Sequence, residues 1–179
     1  MQKLITFAVP CYNSGAYMRR CIDSLLVAGE DAEIVIVNDG SSDNTAEIAD
    51  EYAAKYPQTV RAVHKPNGGH GSGVNKGLEL ANGLYYKVVD SDDWLDEAAL
   101  RALLCRMREH REQGTLPDLY IANYVYEKLD EHKQVVRRYT KNMPTDTFFG
   151  WDKVKPFRAS AALLMHSLLY RTDLLRKSG

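Results

Sequence analysis

Strand-like and helix-like segments alternate from residue 4 to residue 112, and few folds accommodate such a run. Residues 4–9 and 33–38 are short, β-branched apolar runs bounded by turn residues, the pattern of buried strands. Between them Tyr17, Cys21, Leu25 and Met18, Ile22, Leu26 recur at helical spacing. Asn44 with Glu47 three residues on reads as a capping box, opening a helix that runs to about Tyr56. A third strand is predicted at 60–64, a helix that includes 77–81, a fourth strand at 85–90 and a fourth helix at 97–112. Such βαβα order implies a Rossmann-like, mostly parallel sheet with helices on both faces.

The pattern changes after residue 112. Residues 119–129 and 134–139 read as two antiparallel strands around an Asp130-Glu131 turn. Residues 163–170 are a last apolar run, strand or helix, and Thr172 or Asp173 would cap a short helix through Lys177. The chain of 179 residues is therefore expected to be one domain in two parts, 1–112 and 113–179, and Lys177-Ser178-Gly179 reads as an unfinished element of a truncated chain. No apolar run approaches the ~20 residues of a membrane span, and the apolar part of the amino terminus is too short for a signal peptide. Cys11, Cys21 and Cys105 form an odd set without metal spacing, which suits a reducing, cytoplasmic setting.

In an open α/β sheet, ligands bind beyond the carboxyl ends of the strands. Four polar, turn-forming clusters are expected on that edge: Pro10-Cys11-Tyr12-Asn13, Asn38-Asp39-Gly40-Ser41, Lys65 to Gly71, and Asp90-Ser91-Asp92-Asp93. In an extended segment Asp90 and Asp92 would point the same way, and two such charges repel unless a cation compensates. Hard oxygen donors of this kind suit Mg²⁺ or Mn²⁺. The plainer alternative is that Asp92 or Asp93 caps the helix that follows. The stretch from Gly68 to Gly73 would offer bare backbone N–H groups to a phosphate at a helix start. It is no Walker loop, because Gly77 follows Lys76, and its position after the third strand weakens any likeness to a dinucleotide fingerprint.

Taken together, Val9-Pro10-Cys11-Tyr12-Asn13, Asn38-Asp39-Gly40-Ser41-Ser42-Asp43, Asn75-Lys76-Gly77 and Asp90-Ser91-Asp92-Asp93 resemble the motif set of family 2 glycosyltransferases, across about residues 4–112. The resemblance implies a glycosyltransferase A-type fold with a partial antiparallel acceptor region. It also implies metal-dependent inverting transfer from a nucleotide diphosphate sugar, most often UDP, to a glycan or lipid-linked acceptor in cell-surface polysaccharide synthesis. By the same resemblance Pro10, Tyr12 and Asn13 border the base and ribose, Asp39 bonds the uracil, and Asp90 sits at the ribose. Asn75 and Ser91 complete the nucleotide-binding set, and Asp92 holds the metal, Mn²⁺ or Mg²⁺. Two positions depart from the pattern: Asn38 stands where an acid is common, and Val74 where an arginine is common. Lys65, Lys76 or His70 would have to compensate. The resemblance places the catalytic base beyond Gly179. Asp152 and Asp173 are the last acids, and neither is assigned as the base.

Residues 1–100 hold 8 Lys/Arg against 15 Asp/Glu, and residues 101–179 hold 15 against 9. A net charge of −1 argues against general nucleic-acid binding. The acidic half suits a cation. The basic half, with Arg137, Arg138, Lys141, Lys153, Lys155 and Arg158, suits an anionic acceptor or peripheral contact with the inner membrane face. Two other readings stand beside the enzyme: a non-catalytic nucleotide-sugar-binding module and a Rossmann-type oxidoreductase.

Overall fold

The computed structural model describes residues 2–128, 133–157 and 162–178, which fall into two compact units, Met1–Asp118 with Leu169–Gly179, and Leu119–Leu168. In the first unit the strands are β1 (Ile5–Cys11), β2 (Ala32–Asp39), β3 (Val60–Lys65), β4 (Tyr85–Val88) and β8 (Leu168–Arg171). The helices are α1 (Met18–Leu26), α2 (Thr45–Lys55), α3 (His70–Leu80), α4 (Glu97–Glu112) and α5 (Thr172–Lys177). The sheet order within this unit is β3-β2-β1-β4-β8. The first four strands are parallel, and β8 runs antiparallel to β4 through Tyr85↔Arg171 and Tyr86↔Tyr170. The expected Rossmann-like sheet is present, and its order steps outward from β1 in both directions, which puts the topological switch at the centre.

Burial explains why these segments hold. Every residue of β1 is buried, as is β2 from Ile34 to Asp39. Pro10 stands inside the central strand, where its missing N–H would normally break a ladder. The β4 partners of β1 end at Ala8, so Pro10 lies past the last ladder bond on that side. The buried stripe of α1 is Met18, Cys21, Ile22 and Leu25, whereas Tyr17 from the expected pattern faces solvent.

Several local expectations are corrected. No side chain of Asn44 caps α2; Asp43 does so by accepting from the Thr45 N–H at 3.0 Å and the Thr45 hydroxyl at 2.5 Å. Asp96 caps α4 through the Ala99 N–H at 2.8 Å, so neither Asp92 nor Asp93 has that task. Arg171 occupies the cap position of α5, in place of Thr172 or Asp173, and makes no side-chain capping bond there. Helix α3 begins at His70, seven residues before the expected stretch, and takes Gly71, Gly73 and Gly77 into its body. A Cβ at Gly77 would come within 2.5 Å of the Ala8 Cβ, so this glycine serves close packing of α3 on β1.

The second unit contains β5 (Leu119–Ile121) and a hairpin of β6 (Tyr124–Lys128) and β7 (Lys133–Arg137). The hairpin is antiparallel, with Val125 opposite Val136. The predicted strand at 119–129 is thus broken at Ala122-Asn123, where the Ala122 N–H turns aside to the Ser167 carbonyl at 2.8 Å. The expected Asp130-Glu131 turn lies outside the described residues. The last apolar run resolves into a 3-10 turn, Met165–Ser167, followed by β8. Tyr139 anchors the unit: its hydroxyl meets the Ser167 hydroxyl and donates to the Ala162 carbonyl, both at 3.2 Å, and its ring meets Phe157 edge-on at 6.1 Å.

Candidate functional site

Four loops leave the carboxyl ends of β1 to β4 on one edge of the first unit, and polar bonds stitch them together. Asn13, at φ 51°, sends its N–H to the Ser41 hydroxyl at 3.0 Å and takes the Ser42 N–H on Oδ1 at 2.9 Å. Its neighbours continue the seam: the Ser14 N–H reaches the Thr45 hydroxyl at 2.8 Å, and the Gly15 N–H reaches Asp43 at 3.0 Å. The turn after β2 needs a positive φ at Gly40, where a Cβ would also strike the Asn67 N at 2.7 Å. Asn38 fixes that turn by accepting the Ser41 N–H on Oδ1 at 3.1 Å. With Oδ1 so engaged, its amide nitrogen donates to His64 Nδ1 at 3.1 Å, leaving His64 Nε2 to donate to Asp50 at 3.0 Å.

Asp39 lies at the end of β2, 3% exposed. One of its oxygens takes both the Lys65 ammonium and the Gly68 N–H, the latter at 3.0 Å. Burial pushes its pKa up, but the Lys65 and Gly68 hydrogen bonds outweigh that and hold it below the usual carboxylate range. His70, the first residue of α3, brings Nε2 to Asp90 Oδ1 at 2.8 Å. Of the three residues expected to compensate for Val74, Lys65 and His70 therefore reach the strand-end edge, and Lys76 turns to Glu79 at 2.7 Å.

The acidic segment after β4 differs from the extended geometry expected of it. The strand ends at Val88, and the Asp93 N–H closes a turn onto the Asp90 carbonyl at 2.9 Å. Alternation by two no longer applies in such a turn. Carboxylate oxygens of Asp90 and Asp93 approach within 4.8 Å of one another, while Asp92 is exposed beside them. Ser91 points inward, its hydroxyl 2.8 Å from that of Ser14. Pro10 is buried, Tyr12 is 55% exposed at the rim, and Asn75 lies exposed in the second turn of α3.

Two groups escaped the sequence reading. Ser14 joins the loops of β1 and β4, and nothing in its surroundings in the sequence marks it. Lys87 is 4% exposed within β4, and burial pushes its pKa down to about 8 against the opposing pull of Asp93 and Asp90. The signal for it was a lysine inside an otherwise apolar strand. The buried Cys11 thiol is pushed up to about 12 by burial, so it is no nucleophile at neutral pH.

The arrangement offers a deep carboxylate held by a lysine, a second carboxylate held by a histidine, and an exposed acid, all at the ends of parallel strands. Residues 6–172 match the family model described as Glycosyl transferase family 2. EpsJ of Bacillus subtilis strain 168, an uncharacterized glycosyltransferase, is 40% identical over 117 residues, covering 65% of this chain and 33% of its own length. Chondroitin synthase of Pasteurella multocida strain Pm70 is 39% identical over 121 residues, covering 67% of this chain and 12% of its own. The crystal structure of S. aureus TarS 1–349 in complex with UDP superposes with a TM-score of 0.71 at 24% identity, over 98% of this chain and 48% of that one. The chain thus spans about a third of the length of EpsJ and less of the synthase. Its strand order, its strand-end motifs and the family match over nearly its whole length make it a member of glycosyltransferase family 2.

Proposed function

We propose that this chain carries the donor-binding part of a metal-dependent, inverting glycosyltransferase that takes its sugar from a nucleotide diphosphate, UDP before others. The observation that carries the reading is Asp39, a buried and ionised carboxylate at the end of β2, facing the same strand-end edge as Asp90. The UDP held by TarS, a protein of like fold, supports it. In this reading Pro10, Tyr12 and Asn13 border the base and ribose, Asp39 receives the uracil N–H, and Asn75 and Ser91 complete the nucleotide site. Asp90 meets the ribose, so the donor would displace or share its contact with His70.

The residues present fit a divalent cation, because the turn at 90–93 supplies hard carboxylate oxygens and the donor supplies phosphates. Asp92 would hold Mn²⁺ or Mg²⁺. When bound, that ion neutralises charge developing on the diphosphate leaving group. Residues 1–112 serve as the nucleotide-sugar half, and residues 113–179 belong to the acceptor side.

The acceptor is proposed to be a glycan or lipid-linked sugar of a cell-surface polysaccharide, handled at the cytoplasmic face by a peripheral protein. The product named for the Pasteurella relative, a chondroitin, supports the polysaccharide class. Among the described residues no helix is long and apolar enough to cross a membrane. We assign no catalytic base: Asp173 is paired with Arg171 at 2.9 Å and held below the usual carboxylate range, and Asp152 is paired with Lys153 at 2.9 Å. The chain alone is therefore expected to bind donor without transferring sugar. Calorimetry with UDP, GDP and dTDP in the presence of Mn²⁺ tests the donor class. UDP should bind most tightly; GDP bound as tightly as UDP would remove Asp39 from base recognition.

A further inference from the structure

Exposed apolar surface concentrates in the second unit. Val125, Tyr126, Val136, Phe148 and Trp151 are large hydrophobic residues left open there, Phe148 at 54% and Trp151 at 69%. The two rings belong to one loop with a closed neck. The Asn142 and Met143 N–H groups both turn back to the Tyr139 carbonyl, at 2.8 and 3.0 Å. The Lys155 N–H donates to the Asn142 carbonyl at 2.8 Å, and the Asn142 amide donates to the Pro156 carbonyl at 2.9 Å. Tyr139 and Met143 are buried beneath that neck. The loop that projects from it carries Phe148 and then a 3-10 turn, Trp151–Lys153, and compact loops of this kind are commonly binding elements.

Charge collects around the same neck. Between residues 133 and 157 there are six Lys or Arg and two acids. Within the loop itself the exposed Lys141, Lys153 and Lys155 stand against Asp146 and Asp152, with Lys153 paired to Asp152 at 2.9 Å, and Lys133, Arg137 and Arg138 lie just before it. Arg158, named with them from the sequence, lies outside the described residues. Exposed aromatic rings that share a loop with exposed lysines fit the boundary of an anionic bilayer, where rings sit at headgroup depth and lysines meet the lipid phosphates. A soluble polyanion would reward the lysines, but it gains nothing from the half-open aliphatic pair Val125–Val136 in the same unit.

We propose that the 139–157 loop is a membrane-docking element that seats Phe148 and Trp151 in the headgroup layer of an anionic bilayer, with Lys141, Lys153 and Lys155 on its phosphates. This rests on the peripheral-contact reading above and names the surface responsible. The chain should sediment with vesicles of three parts phosphatidylcholine to one part phosphatidylglycerol at ~50 mM salt, and far less at ~500 mM, where screening is short-ranged. Pure phosphatidylcholine vesicles should bind it poorly. The double variant Phe148→Ala/Trp151→Ala should lose about tenfold or more in partitioning. Tryptophan emission should shift to the blue on binding, and the shift should vanish in Trp151→Phe, which leaves only Trp94 to report.

No sedimentation at low salt would overturn both the loop and the peripheral-contact reading. Sedimentation that survives the double variant, with no shift attributable to Trp151, would overturn the loop alone and leave membrane contact to another surface. A Trp151 shift with soluble dextran sulfate and none with vesicles would overturn the proposal in favour of an anionic glycan.

Discussion

The two units spend their polar and apolar groups in opposite ways. In the first, the loops at the strand ends are cross-linked by side-chain bonds such as Asn13–Ser41, Ser14–Thr45 and Asp39–Gly68, above a sheet whose strand β1 is wholly buried. In the second, the hairpin and the loop after it leave two aromatic rings and an aliphatic pair open to solvent, and the interior rests on Tyr139, Met143 and Ser167. A region with every loop tied down can present a rigid constellation to a small polar ligand. A region with open apolar surface offers area that a larger partner could cover.

This contrast is most severely tested by Gly77. Gly77→Val would drive a branched side chain into Ala8 and the Tyr86 hydroxyl, and overpacking of that kind costs about 1–3 kcal/mol or more. Denaturant unfolding should show that loss, whereas Trp151→Ser in the second unit, at a side chain 69% exposed, should stay within about 0.5 kcal/mol of the parent. Comparable losses would mean that the open loop is packed after all.

Asp39→Ala should come next. It removes the partner of Lys65 and an ionised group at the proposed base subsite, and UDP affinity should fall about tenfold to a hundredfold, with or without metal. Binding that holds while stability falls would make Asp39 a structural residue only. Asp92→Asn should be milder for nucleotide alone and should erase most of the gain from Mn²⁺. Full retention of that gain would move the metal to Asp90 and Asp93.

pH separates two buried charges of the first unit. Asp39 has a lowered folded pKa, so its contribution to stability is present above the ordinary carboxylate range and is lost as pH falls through the lowered value. Lys87 titrates in the folded protein at about 8 against an ordinary 10.5, so burial of its charge weakens the fold fully below about pH 8. That penalty lifts as pH rises from 8 toward 10.5. Urea unfolding over this interval should show stability rising in the parent and flatter in Lys87→Met, a difference of about 3 kcal/mol at most. Parallel slopes would mean that Lys87 keeps its charge throughout.

Most of the first unit was legible because one period served each segment. Alternation of β-branched runs with helical spacing fixed the element order, and Asn38-Asp39 and Asp90 to Asp93 fell where strand ends had to be. What escaped were choices made by tertiary contact. Asp43 took the cap from Asn44 because its carboxylate could reach both Thr45 donors and the Gly15 N–H. Gly71 and Gly73 read as part of a loop before the helix, yet both lie inside α3, where a Cβ at Gly73 would come within 3.0 Å of Pro10 and one at Gly77 within 2.5 Å of Ala8. The turn at 90–93 hid in what looked like a strand, and so brought Asp93 beside Asp90. In the second unit, the expected strand broke at Ala122-Asn123, two weak strand formers, where the Ala122 N–H goes to the Ser167 carbonyl.

The central claim is that the strand-end edge of the first unit is a nucleotide-diphosphate site that works with a divalent cation. Calorimetric titration of the chain with UDP, in excess Mn²⁺ and again in excess chelator, tests it most directly. The account predicts saturable one-to-one binding that is at least about tenfold tighter with the metal, since two or more carboxylates and a diphosphate otherwise repel. Equal affinity in chelator, or no binding in either condition, would contradict it.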